Sequence, residues 1–474
     1  MTGSNRARWS VFWGVAAVVT IVMVPAVING APLADDFNNC LAPQQQGLGS
    51  FLGDSWDRLG MIRAARFVEI LLTTGVCGSL PFGVAIVVSA LLFLGVGLAL
   101  RTLLRDLGVA GPWPDVGGGL WLLQPLGTEI SLWPAALHVP LGLLGALLAL
   151  IAFRRGRWAL GAIAAAVACL SVEQVVLALP LAAWLVTGAD ARRKTLLIAS
   201  GVVVAAVVVF ALFPGNDPRL EAGLGERLRG LVSDPGFYVG YPAVGLGLHS
   251  IPLAAKWAFP WSAAVVAAGV LAGYRLLGPL LLSTVTRKVP GRRAVVGFAA
   301  LLVLINVPVL LNVPRQGSPR IFAPTWLVLA AGAAIAGAAL ARIGTDGLHK
   351  VGAAVIGGVG AGMLLSIAFS VSVRMDSASF VELTAETIAV RTDDGNVVGV
   401  CGVRRTVVEP APRGAFAVHD FIYDWAAQDA VRYYTGRRVT FRLGGGTLGS
   451  PCLDDEAVDV GFDFNRLVSD WAEQ

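Results

Sequence analysis

Long apolar runs separated by short clusters of Arg and Lys set the rhythm of this chain. The first run extends from about Trp9 to Ile28. At 1.5 Å per residue its ~20 residues span the ~30 Å core of a bilayer. Arg6 and Arg8 precede it, so it reads as a first membrane span with its N-terminus inside. A cleaved signal peptide is the weaker reading, because Ala31-Pro32 is a poor cleavage site. Residues 30–78 follow as a long outer loop. There Phe51, Trp56, Leu59, Phe67 and Ile70 alternate with Asp54, Asp57, Arg63, Arg66 and Glu69. This mixture predicts one or two amphipathic helices lying in the interface, or packed against other outer loops.

Further spans are predicted at about 80–100, 116–131, 133–153, 158–171, 174–187, 195–213, 251–273, 294–312, 323–341 and 351–373. The clusters Arg101/Arg105, Arg154/Arg155/Arg157, Arg192/Arg193/Lys194, Arg287/Lys288/Arg292/Arg293 and Arg342/Lys350 then all fall on one side. That is the positive-inside pattern, and it fits eleven spans with the C-terminus outside. Between Arg157 and Arg192 two spans must share one short run, each ~21 Å long if helical. Their turn, Ser171-Val172-Glu173, then sits within hydrocarbon depth. A carboxylate is tolerated there facing a wet, protein-lined cavity or paired with a cation. The run from Val116 is interrupted by glycines, Pro125 and Gly127, with Glu129 at the outer turn that follows.

Beyond about Val373 the apolar pattern stops. Residues 374–474 have ordinary soluble composition, enough for one small domain. Strands are predicted near 397–401 and 438–443, and a helix over 420–434. The expected architecture is therefore an α-helical polytopic membrane domain, 1–373, followed by a small extracytoplasmic α/β or α+β domain.

Composition agrees with the pattern. Of 474 residues, 56% are hydrophobic and 14% charged, and mean hydropathy is +0.72. A soluble domain carries about 25% charge, so this chain belongs in a membrane, expected to be the cell membrane. Its net charge of +5 lies in topology clusters and implies no nucleic acid. Four of the five cysteines fall in segments placed outside, an oxidising compartment. Disulfides Cys40–Cys77 and Cys401–Cys452 are expected, with Cys169 left inside a span. No cysteine has zinc-site spacing.

Candidate chemistry begins with Asp35-Asp36, directly after the first span. Two adjacent carboxylates there suit an active site, the alternative being a solvated loop. Arg320 leads into a late span, where a guanidinium suits a phosphate or anchors the helix by snorkelling.

Taken together, Gln124-Pro125-Leu126-Gly127-Thr128-Glu129, the basic Arg154-Arg155-Gly156-Arg157, the Ser171-Val172-Glu173 turn and Pro180 resemble the core of the GT-C glycosyltransferase superfamily. The pattern is nearest to the protein O-mannosyltransferases that carry tetratricopeptide repeats. Their His-Pro-x-x-Thr-Glu stretch has Gln124 here in place of His, and their Ser-Lys-Glu turn has Val172 in place of Lys. Asp35-Asp36 resembles the superfamily's outer acidic motif, and Arg320 with Pro324 its entry to a late span. The likeness covers residues 10–190 and, more thinly, 312–345; no repeat tail follows.

The resemblance implies a membrane glycosyltransferase that takes a sugar from a polyprenyl-phosphate donor entering from the membrane lipid. The sugar would pass to a cell-envelope acceptor on the outer face, by inversion at the anomeric carbon. Asp35 or Asp36 would take the acceptor proton, the neighbour positioning the acceptor or a Mg or Mn ion on Asp36. Arg320 would face the phosphate; Gln124, Glu129 and Glu173 would bind sugar or acceptor. A transporter or lipid flippase is the competing class. It predicts internal repeats and matched intramembrane acids, and the sequence shows neither. A non-catalytic envelope-assembly protein is the third.

Overall fold

Lipid offers no water to satisfy backbone N–H and C=O groups, so each apolar run must close its own hydrogen bonds as a helix. A computed structural model shows this outcome. It describes residues 4–32, 35–59, 65–77, 79–109, 111–124, 127–213, 261–277, 292–310, 322–340, 346–391, 397–400, 424–435 and 440–443. Among them five helices are long and apolar enough to cross a membrane. The chain is a helical, membrane-associated protein.

The first helix, α1, covers Ser4–Ile28. The loop after it holds three helices where one or two were expected: α2 (Asp35–Gln46), α3 (Leu48–Leu59) and α4 (Ala65–Cys77). Cys40 and Cys77 are joined, with Cα atoms 5.5 Å apart, so the expected disulfide clamps α2 to α4. The long α5 (Gly83–Asp106) then runs back through the bundle.

The run expected as one span over 116–131 is not one helix. α6 covers only Trp113–Leu122, and helix resumes as α7 at Gly127–Leu132. Pro125 has no N–H to donate and disfavours a helical residue before it, which ends α6. A single 3-10 turn, Pro134–Ala136, leads into α8 (His138–Arg154). The predicted short pair follows as α9 (Trp158–Cys169) and α10 (Glu173–Val186), ~18 and ~21 Å long. α11 covers Ala189–Leu212.

Two ends of the bundle can be told apart by contact. At one, Arg155 Nε pairs with Asp106 Oδ2 at 2.7 Å. There Arg154 also donates to Asp106 O and to Val186 O, at 3.2 and 2.9 Å. Arg192 Nε donates to Thr187 O nearby. Three of the predicted basic clusters therefore share this end. Arg101, however, is buried and, with Arg105, is paired to the buried Asp115 of α6. At the opposite end lie the disulfide, the start of α5 and the end of α11, where Trp56 of α3 meets Phe213 at 5.8 Å.

Later helices are α12 (Trp261–Ala272), which continues as a π-turn through Leu277, α13 (Arg292–Leu310) and α14 (Ala323–Leu340). α13 packs on α10, and α14 packs on α6. α15 (Asp346–Arg391) does not stop near 373 but runs unbroken for 46 residues, ~69 Å. After it, β1 (Val397–Val400) and β2 (Thr440–Leu443) pair in parallel, Val397 opposite Thr440. Between them α16 (Asp424–Thr435) packs on α2 and α15.

Candidate functional site

Asp36 is the second residue of α2 and is fully buried. Its Oδ1 accepts the N–H of Ala135 in the 3-10 turn at 3.0 Å. On the other side of that peptide, Arg66 Nη1 of α4 donates to Ala135 O at 3.4 Å. Arg66 also reaches Asn39 Oδ1 of α2 and pairs with Glu69 Oε2 at 2.9 Å. Glu69 Oε1 accepts the backbone N–H of His138 at 2.8 Å and is hydrogen-bonded to its ring Nδ1. Four elements, α2, α4, the 3-10 turn and α8, are thus fastened together at the disulfide end by five polar side chains.

Glu69 is fully buried. Burial pushes its carboxyl up, but His138 and Arg66, with the hydrogen bonds from His138, outweigh that and hold it below its ordinary value of 4.5. It stays a carboxylate.

Gln124 lies deeper. Trp121 Nε1 of α6 donates to Phe93 O at 2.9 Å, and Phe93 is ten residues along α5. That places the top of α6 ~15 Å into the bundle. Ser131 Oγ lies 3.7 Å from Met23 Sδ, only five residues from the end of α1. The chain from Gln124 to Ser131 therefore climbs from mid-bundle to near the disulfide end. Non-helical backbone at that depth survives only when buried in protein or lining a cavity. Gln124, Thr128 and Glu129 are all buried. Gln124 Nε2 and Thr128 Oγ1 find no hydrogen-bond partner among the described residues. Buried polar atoms without partners are rare, and each calls for an explanation such as a ligand or water.

The Ser171–Glu173 turn joins the same region. It seats on Gly142, where a Cβ would lie 2.5 Å from Val172 Cγ2. Gly142 is four residues, ~6 Å, past His138. Glu173 opens α10 half-buried. On the far side, Arg374 of α15 is buried and donates to Ala31 O at 3.1 Å, just ahead of the acidic pair. Phe37, next to Asp36, meets Tyr433 and Tyr434 of α16 at 5.4 and 5.9 Å.

The structure therefore brings Asp36 to the turn that follows Glu129, and brings the Glu173 turn against the same stretch of α8. The side chain of Asp35, and Arg320, Cys401 and Cys452, lie outside the described residues. Among the described residues no three His, Cys, Asp or Glu side chains converge. Asp35, the neighbour of Asp36 in the expected Mg or Mn site, has its side chain outside those residues.

Asn39, Arg66, Glu69 and His138 were not singled out from sequence. Arg66 and Glu69 read as the wet face of an amphipathic helix. Two signals were present: their spacing of three, which makes helix neighbours, and a histidine, one of four in the chain, opening an apolar run. No protein-family model matches this chain, and no curated protein or solved structure is similar to it.

Proposed function

We propose that this protein is a membrane glycosyltransferase of the GT-C type. In this reading it moves a sugar from a polyprenyl-phosphate donor to a glycan, lipid or protein acceptor on the outer face of the cell membrane. The observation that carries it is the Gln124–Ala136 crossover: polar, broken in its helix, buried at membrane depth and tied at its upper end to Asp36. A purely structural crossover gains nothing from a buried amide nitrogen and hydroxyl without partners. A sugar, rich in hydroxyls, supplies partners for both.

The proposal places the disulfide end outside, where a disulfide persists, and the Arg-rich end inside. It retains eleven spans and an outer C-terminal domain. The Asp35–Asp36 pair engages the acceptor hydroxyl. Arg320 offsets the charge of the departing phosphate. Glu129, Glu173 and Gln124 hold the sugar.

The test is transfer in membranes. A radiolabelled polyprenyl-phosphate sugar pool is supplied to membranes holding equal amounts of wild type, Asp35→Asn or Asp36→Asn. Labelled product is expected from wild type and loss of ~100-fold or more from a variant in the reacting pair. Equal product from all three, with several donor sugars, sinks the transferase reading and favours a flippase or a non-catalytic assembly protein.

A further inference from the structure

His138 has the anatomy of a general base. Its Nδ1 is held by the buried Glu69 carboxylate, and its own backbone N–H donates to the same oxygen. That double attachment fixes both the ring and its tautomer. Nε2 has no partner among the described residues, and the side chain keeps 11% of its surface open. The ring therefore presents a lone pair at the disulfide end, beside the turn that Asp36 holds. Arg66 takes the other oxygen of Glu69 at 2.9 Å.

We propose that His138 is the catalytic base of the transfer, with Glu69 as its positioning residue; this rests on the transferase reading above. The acceptor oxygen attacks the anomeric carbon and forms the new C–O bond. The bond from that carbon to the phosphate oxygen breaks, and its electron pair leaves with the polyprenyl phosphate. The hydroxyl proton passes to His138 Nε2, which later releases it to water. The acidic pair orients the hydroxyl, and Asp36 does so while holding the turn that leads into the histidine's helix.

At the end of α8 where His138 sits, the charged groups on the packed elements are Arg66 and Glu69 on α4, Glu129 on α7 and Glu173 on α10, with Asp36 on α2 behind the turn; Arg101, Arg105 and Asp106 of α5, which also packs on α8, lie towards the opposite end. Only neutral imidazole accepts a proton. The wild-type rate should therefore fall as the pH drops and the imidazole takes up a proton. Glu69→Gln keeps a hydrogen-bond acceptor but removes the charge, so that limb should shift along the pH axis. His138→Gln should lose ~10²- to 10⁴-fold, and its residual rate should lack that limb.

The experiment uses the full-length protein in membranes with the radiolabelled polyprenyl-phosphate sugar pool, from pH 5 to pH 8. An intact Cys40–Cys77 bond and an unchanged thermal midpoint report folding of each variant. A wild-type limb that vanishes in His138→Gln and shifts in Glu69→Gln supports the proposal. A wild-type rate that is flat over this range overturns it without any variant. So does a folded His138→Gln protein with full rate. Wild-type membranes that transfer no label overturn the transferase reading itself, a distinct result.

Discussion

Glu69 is a carboxylate sealed from water that keeps its charge because His138 and Arg66 surround it. Removing Glu69 leaves the Arg66 guanidinium without that counter-charge. Glu69→Leu should cost about 3–5 kcal/mol, read as a lowered thermal midpoint in detergent. The pH dependence has a definite sign. The folded carboxyl lies below its ordinary 4.5. Its stabilisation is therefore fully present above about pH 4.5 and is lost as pH falls further, through the folded value. Thermal midpoints of wild type should drop over that range, and those of Glu69→Gln should drop less. Gln124 gives the opposite kind of prediction. Its Nε2 is buried and without a partner among the described residues, so Gln124→Leu should leave stability unchanged or raise it by about 1–3 kcal/mol. Transfer should fall in the same variant. A stability loss with unchanged transfer would assign Gln124 to the framework.

Among the elements, α6 is the one whose length matters. It spans ten residues because Pro125 ends it, and it fits because Gly118 lets it lie against α5 and α1. A Cβ on Gly118 would stand 2.8 Å from Gly97 O and 2.9 Å from Phe12 Cδ2. Gly118→Val should destabilise by about 1–3 kcal/mol through overpacking. It should also displace Gln124, so transfer should fall with it. The clamp between α2 and α4 closes a separation of 37 residues. Chain entropy assigns such a loop about 4 kcal/mol. Replacing Cys40 and Cys77 by Ser should lower the thermal midpoint and loosen Asp36 from Ala135. A reductant should reproduce both effects on wild type.

At the scale of the molecule, the two ends differ in chemistry: arginines and Asp106 at one, a disulfide and a buried acid–imidazole–guanidinium cluster at the other. In a background without Cys169, Cys401 and Cys452, Ser50→Cys should react with a membrane-impermeant thiol reagent on intact cells. Arg157→Cys should react only after permeabilisation. Both positions are exposed, so labelling reports sidedness and not burial. The reverse pattern would invert the topology and place the candidate site inside.

The sequence by itself determined that the chain is a helical membrane protein, where its basic clusters fall, and that Cys40 pairs with Cys77. It also required two short helices between Arg157 and Arg192, because both flanks carry charges that belong on one side. These features rest on local composition and length, which a linear reading captures. Only the tertiary structure decided that α6 stops at mid-bundle, that Asp36 grips Ala135 ninety-nine residues away, and that Glu69 is an inward carboxylate facing His138. Asp36 and Ala135, like Glu69 and His138, meet by chain crossing, and no spacing in the sequence encodes which face of α4 turns inward. Burial made the difference. A glutamate on an interfacial helix is unremarkable in water, and becomes a functional candidate once packing has removed the water and supplied its partners.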